Sequence, residues 1–221
     1  MSDLAHWRGA RPPAPVVLEG DRVRIEPLRG AAHAADLFAA SHGPAADPEL
    51  WTYLPAGPYA SPGAYAAWVR GAEASADPLF HAVVDRRTGR AAGQVSYLRA
   101  APADGSIEIG WIWFGAALQR TAHATEAIHL LARHAFDDLG NRRLEWKCNA
   151  ANARSRRAAE RFGFVFEGIF RQHMVVKGRN RDTAWYSIID AEWPDRRAAF
   201  AAWLDPANFD AAGRQRQPLA R

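Results

Sequence analysis

Between residues 79 and 114 three apolar runs follow one another with only turn-sized gaps. They are Leu79–Val84, Ala91–Leu98 and Ile107–Phe114, separated by Asp85-Arg86-Arg87-Thr88-Gly89 and by a gap containing Asp104-Gly105. Runs this short, joined by Gly-bearing turns, read as strands of an antiparallel meander, because a tight turn connects only antiparallel neighbours. The third run gives way after a short loop to the longest helical pattern in the chain. This is Thr121–Leu139, with Ala124, Ala127, Ile128, Leu131, Ala135 and Leu139 on one face and Gly140 as its stop. Arg142–Cys148 then alternates as a strand. A meander followed by strand-helix-strand units implies a mixed sheet with helices on both faces, an α+β arrangement.

The flanks complete this order. Val23, Ile25 and Leu28 space out as a first strand, and Ala31–Ala40 reads as a helix. The stretch 41–62 carries five prolines yet also Trp51, Tyr53 and Tyr59, which suits a packed or binding loop better than a linker. Ser61 caps a helix running to Glu73 with Tyr65, Trp68 and Val69 on one stripe. Downstream come a short helix, Asn152–Phe162, ending at Gly163, strands Phe164–Phe170 and Thr183–Ile189, and a helix, Ala191–Leu204. Seven strands and five helices in 221 residues, 48% of them apolar, make one well-cored domain. The expected division is an arm over 1–20, the domain over 21–192, and a C-terminal helix with polar tail over 193–221.

Composition excludes several classes. An 11% aromatic share is too high for a disordered chain. The lone Cys148 forbids an internal disulfide and a multi-Cys zinc site, and no His, Asp or Glu cluster has metal-ligand spacing, so no metal is expected. Cys148 itself reads either as a nucleophile or as a small buried hydrophobe. No run approaches the roughly 18 apolar residues of a membrane span, so a soluble, cytoplasmic protein without a membrane partner is expected. Of 28 basic residues only Lys147 and Lys177 are lysine. A net charge of +4 favours an anionic partner, either nucleic acid or a phosphorylated cofactor, unless the arginines merely reflect codon usage. The arginines are scattered and no zinc-finger or RRM signature accompanies them, which speaks against nucleic acid.

Chemistry concentrates at the strand-loop-helix junction 107–127. Backbone N–H groups at a helix start lack internal partners and carry partial positive charge, so this loop is either a phosphate cradle or an ordinary turn. Small residues at Ala122 and Ala124 would let a diphosphate approach the backbone. Here Gln119-x-x-Ala122-x-Ala124, followed by Thr125-Glu126-Ala127, resembles the acetyl-CoA loop of the GNAT N-acetyltransferase superfamily, whose pattern is Gln/Arg-x-x-Gly-x-Gly/Ala. Asn152-Ala-Arg-Ser155, Arg161-Phe162-Gly163-Phe164 and Glu167-Gly168 resemble the signature of the RimJ/RimL type, the ribosomal-protein N-terminal acetyltransferases. Leu50-Trp51-x-Tyr53, Gly57-Pro58-Tyr59 and Arg181-Asp182…Tyr186-Ser187-Ile188 are similar to that branch too, so the likeness covers about residues 21–192. The pattern's central glycine is Ala122 here, which matters only if that residue needs a positive φ; a place at the helix start makes alanine harmless.

The resemblance implies a GNAT fold with acetyl-CoA as cosubstrate. In such domains a bulge, by the resemblance near Trp113-Phe114, splays the fourth strand, here 107–114, from the fifth, here 142–148, and the pantetheine arm pairs with the exposed backbone like an added strand. It implies that the backbone of Trp113 and Phe114 binds that arm, and that Gln119, Arg120, Thr121, Ala122, His123, Ala124 and Thr125 hold the phosphates. Asn152 would hydrogen-bond the arm or cap its own helix. Arg156 and Arg157 would meet phosphate or simply be solvated. Glu108 lies where relatives carry a catalytic glutamate and would serve as general base; read from the strand alone it is a sheet-surface carboxylate paired to an arginine. Ser155 matches a hydroxyl that protonates the leaving thiolate, or else bonds its own helix start. Trp51, Tyr53 and Tyr59 would line the acceptor pocket or pack in the core. By the same resemblance the acceptor is a protein N-terminal α-amine, with a small-molecule amine (amino acid, polyamine or aminoglycoside) as the alternative; the exposed aromatic loops leave a homodimer open.

Overall fold

The computed structural model describes residues 4–220. Eight strands form one sheet: β1 (Leu18–Glu19), β2 (Val23–Pro27), β3 (Leu79–Asp85), β4 (Arg90–Ala101), β5 (Ser106–Phe114), β6 (Arg143–Asn149), β7 (Val165–Val176) and β8 (Arg179–Ile189). Their order is β1-β2-β3-β4-β5-β6-β8-β7. Every neighbouring pair is antiparallel except β5 and β6, which run parallel across the helical crossover. The strand beyond the expected seven is β1, too short to announce itself by alternation; it pairs Leu18 with Ile25 at the sheet edge.

Five α-helices cover the two faces: α1 (Gly30–His42), α2 (Pro62–Glu73), α3 (Ala122–Arg133), α4 (Ala153–Arg161) and α5 (Trp193–Leu204). Local chemistry starts three of them. Ser61 Oγ accepts from the N–H of Ala64 ahead of α2, Thr121 Oγ1 from that of His123 ahead of α3, and Asn152 Oδ1 from that of Ser155 ahead of α4. The pattern read as one helix over 121–139 ends as α-helix at Arg133 and widens into a π-helical turn over His134–Asp138, where Leu139 N–H donates to His134 O.

Two cores result. Val83, Val95, Tyr97, Ile107, Ile109, Leu144, Trp146 and Tyr186 of the sheet pack with Ile128 and Leu131 of α3 and with Trp193, Phe200 and Trp203 of α5. On the other face Phe80, Ala82, Val84 and Trp113 pack with Leu37 of α1, Tyr65 and Val69 of α2, and Trp51. That second layer stops at β5, so among the described residues no helix lies over the same face of β6, β8 and β7. The β7–β8 ribbon runs well past the expected strand ends, turning at Lys177-Gly178. Residues 171–182 are mostly polar because this ribbon is solvated, so no apolar alternation marks it.

Burial leaves one consequence for acid stability. His81 is 1% exposed, donates from Nδ1 to Leu79 O, and has its pKa pushed down to about 4, chiefly by desolvation and also by His134. Its folded pKa lies below the unfolded value of 6.5, so its contribution is fully present above that value and is lost as pH falls from about 6.5 to 4. Urea unfolding at pH 7, 6 and 5 should show stability falling by up to about 1.4 kcal/mol per pH unit from this group. His81→Leu should flatten the dependence over that window; an unchanged slope would exclude His81 as its source.

Candidate active site

The sheet opens where β5 and β6 part. They pair from Ser106↔Arg143 to Ile109↔Trp146 and no further, although β5 continues to Phe114 and β6 to Asn149. The cause is a bulge on the far side of β5. Gln94 and Ser96 of β4 face Trp113 and Gly110, so three steps on β5 answer two on β4. Trp111 takes the extra step at φ +51°, a strained value for a bulky residue, and its ring is held by Trp68 and Phe80 at 6.0 and 5.4 Å. The bulge thus centres on Trp111 and Ile112, just upstream of Trp113 and Phe114. The Trp113 side chain is buried in the second core, and its backbone pairs with Gln94 of β4, its carbonyl lying beside Gly93.

Below the gap the chain turns into α3. Gln119 Nε2 donates to Phe114 O at 2.7 Å and Thr121 Oγ1 donates to Leu118 O at 2.8 Å, which fixes the loop. The positive φ falls on Arg120, at +58°, while Ala122 is the first helical residue, so alanine in place of the pattern's glycine carries no strain. Among the described residues, the backbone N–H groups of Arg120, Thr121, Ala122 and Ala124 donate to no protein acceptor. Consecutive unpaired N–H groups at a helix start suit an anion. The Thr125 side chain faces inward, 1% exposed, and accepts from Arg161, so only its backbone is near the cradle. His123 is half-buried there, and the Arg120 and Arg157 side chains are exposed.

Glu108 sits on the face that lacks a helix layer, yet is 3% exposed, one residue before the strands part. Its Oε2 takes Arg99 Nη1 at 2.7 Å and Lys147 Nζ at 3.0 Å. Lys147 also meets Glu145 at 2.6 Å and lies 3.8 Å from the Trp185 ring centroid; Glu145 meets Arg143, and Arg143 meets Glu167. An alternating chain of three cations and three carboxylates therefore runs across β4, β5, β6 and β7. Both of Glu108's ion pairs are on Oε2. Oε1 has no hydrogen-bond donor among the described residues and lies 3.4 Å from the position a Cβ on Gly110 would take. One oxygen is clamped and the other turns toward the start of the gap.

On the opposite face Trp146 Nε1 donates to Ser155 Oγ at 3.0 Å, while the Ser155 N–H is held by Asn152. The serine hydroxyl is thus held as an acceptor from Trp146 and also hydrogen-bonds the Cys148 sulfur. Cys148 is buried beside it, and burial pushes its thiol pKa up, which disfavours the thiolate a nucleophile needs. Arg156 donates to Tyr186 OH at 3.0 Å.

The loop 43–61 straps over this region. Lys177 Nζ donates to Trp51 O and Gly57 O at 2.8 and 2.6 Å, Arg154 pairs with Asp47 and Glu49, and Tyr53 OH donates to Ala151 O at 3.2 Å. Tyr53 is exposed. Trp51 and Tyr59 turn inward, where Trp51 packs 6.0 Å from Trp113 and Tyr59 5.2 Å from Tyr65. Trp51 Nε1 and Tyr59 OH are buried without hydrogen-bond partners.

The profile of the acetyltransferase (GNAT) domain family matches residues 22–165. The chain belongs to the GNAT acetyltransferase family. Its structure resembles a GCN5-related N-acetyltransferase from Brucella melitensis, at 50% identity and TM-score 0.94 over 97% of this chain and 96% of that one. A probable GNAT-family acetyltransferase from Chromobacterium violaceum is 41% identical at TM-score 0.80, over 88% and 96%. The Bacillus subtilis protein YdaF, provisionally named a ribosomal N-acetyltransferase, is 30% identical over 105 residues. That match takes in 48% of this chain and 57% of YdaF, about half of each.

Members of the GNAT family draw acetyl from acetyl-CoA, and this GNAT domain fits that cosubstrate. The free N–H groups of Arg120, Thr121, Ala122 and Ala124 suit its phosphates, and the unpaired edges of β5 and β6 suit an extended amide-bearing arm. Among the described residues no three His, Cys, Asp or Glu side chains gather as a metal-ligand set, and no helix is long and apolar enough to cross a membrane. Sequence reasoning passed over Lys147, Arg99 and Lys177. The signal for Lys147 was present, since Arg143, Glu145 and Lys147 alternate with Leu144, Trp146 and Cys148.

Proposed function

We propose that this protein transfers acetyl from acetyl-CoA to the α-amine of a protein N-terminus. The observation that carries the reading is the split environment of Glu108, one oxygen held by two cations and the other open beside the gap. In this reading acetyl-CoA supplies the activated acyl group, held by the backbone of Trp113 and Phe114, by the N–H groups of Arg120, Thr121, Ala122 and Ala124, and by Asn152. Glu108 Oε1 accepts the proton that the amine loses, directly or through water. Ser155, bonded to Trp146 and so aligned, gives its proton to the departing sulfur. An α-amine titrates near 8 and a lysine amine near 10.4, so a protein N-terminus asks less of the base. The provisional ribosomal assignment of YdaF points the same way. Trp51, Tyr53 and Tyr59 shape the acceptor side through the strap.

The test is a panel of peptides with free or blocked N-termini, lysine-bearing peptides and small amines, each with acetyl-CoA, following free thiol release and product mass. Peptides with free α-amines should be acetylated at that amine. Turnover confined to small amines would overturn the acceptor, and failure to bind CoA at hundreds of micromolar would overturn acetyl transfer.

A further inference from the structure

The ion chain on the uncovered face is balanced, and one cation stands outside it. Arg99, Lys147 and Arg143 alternate with Glu108, Glu145 and Glu167. Arg181 belongs to the same face: Thr183 and Trp185 alternate with it along β8, and Trp185 lies under the Lys147 ammonium. Among the described residues Arg181 has no carboxylate at ion-pair distance. Its one hydrogen bond runs from Nε to Thr183 Oγ1 at 3.1 Å, and this fixes the guanidinium while leaving both terminal nitrogens without acceptors. Its desolvation, partly offset by Glu108, pulls its pKa down. A half-buried guanidinium without a counter-charge is costly, and the arrangement calls for an anion from outside the chain.

The position is specific. Thr183 pairs with Asn149, the last residue of β6, and Ala150 N–H donates to Asp182 O. Arg181 therefore lies past the end of β6, where the chain turns through Ala151, whose carbonyl takes the Tyr53 hydroxyl of the strap. His173 adds no charge of its own: its ring shares Thr183 Oγ1 with Arg181, and burial together with Arg181, Arg99 and Lys147 lowers its pKa, keeping it neutral near pH 7. A concavity of about 790 Å³ is lined by Phe170, Arg171, Gln172, His173, Asn180 and Asp182, neighbours of Arg181 on β7 and β8. The titratable groups around Glu108 are thus Arg99 from β4, Lys147 and Glu145 from β6, the neutral His173 from β7 and Arg181 from β8. Of the cations among them only Arg181 is unengaged by a carboxylate.

We infer that Arg181 anchors the acceptor by binding a carboxylate carried within a few bonds of the amine that Glu108 receives. An acceptor with an ammonium at one point and a carboxylate nearby matches a face offering Glu108 Oε1 and Arg181 together, and a guanidinium binds a carboxylate through two parallel N–H bonds. Two sources present that chemistry: a peptide whose first or second residue is Asp or Glu, and a free amino acid, whose own carboxylate adjoins its amine. The inference rests on the acetyl-transfer reading for Glu108 and deepens it by naming the acceptor class.

The experiment compares peptides identical except for Glu or Gln, and Asp or Asn, at positions one and two, alongside free glutamate and its amide. Steady-state kinetics are run with acetyl-CoA, and calorimetric binding with the CoA-loaded protein. Wild type should favour the acidic member of a pair by about tenfold or more, through KM, and Arg181→Gln should abolish the preference while Arg181→Lys restores part of it. CoA binding by each variant reports that it is folded. Preference among peptides assigns the anchor to an acidic N-terminus; preference only between free glutamate and its amide assigns it to amino acids. Equal affinity of wild type for acidic and amide forms, or a preference that survives in Arg181→Gln, overturns the anchor. Arg181-dependent binding of an acidic peptide without its acetylation supports the anchor and overturns acetyl transfer instead.

Discussion

Replacing Glu126 with alanine should lower the unfolding free energy by about 3–5 kcal/mol, the range for removing one partner of a buried charge network. The carboxylate is 4% exposed, on the second turn of α3. Its Oε2 accepts the backbone N–H groups of Arg22 and Val23, both at 2.7 Å, its Oε1 that of Asp21 at 3.1 Å, and the Arg22 guanidinium stands 3.5 Å away. Three backbone donors of the β1–β2 turn thus have a helix side chain as their acceptor. Alanine would orphan them and leave Arg22 without its carboxylate. Glutamine should recover only part of the loss, because one oxygen remains and the new amide N–H₂ faces N–H donors. Urea unfolding at pH 7 measures both; a loss under about 1 kcal/mol for alanine would mean that water satisfies the turn.

Glu126 also shows where sequence reading stops. Thr125-Glu126-Ala127 stands out as part of a cofactor motif, yet both side chains serve the packing, Thr125 toward Arg161 and Glu126 toward the β1–β2 turn. Their partners lie 36 and 104 residues away, beyond any local pattern. What repeats locally was legible. The meander, the crossover and the capped helices follow from turn residues, apolar spacing and Ser61, Thr121 and Asn152 at their starts. The bulge could be placed only to within a couple of residues, because it depends on how β4 registers against β5 rather than on either strand alone. The hairpin over 171–182 was invisible for a different reason: a ribbon solvated on both sides has no hydrophobic period. Glu108 was nominated as a base by resemblance, and its arginine partner was the bland alternative; the structure shows the arginine on Oε2 and leaves Oε1 without a donor among the described residues.

Glu108→Gln should reduce kcat/KM by about 100- to 10,000-fold at neutral pH, the range for a positioned general base. The substitution keeps the side-chain shape but removes the charge, so it also breaks the link between Arg99 and Lys147. Lost pairing and lost proton transfer must therefore be told apart, and pH does so. Near pH 7 about one α-amine in ten is already neutral, given a pKa near 8. As pH rises through that value the amine sheds its proton to solvent, the base becomes dispensable, and the defect of Glu108→Gln should shrink. A purely structural lesion would depress activity by the same factor from pH 6.5 to 9.5. Ser155→Ala gives the complementary profile, since a missing acid at the sulfur is not relieved by raising pH and its defect should persist at pH 9.5. If Glu108→Gln matches wild type across the range, the carboxylate is a member of the ion chain alone, and the proton leaves by another route.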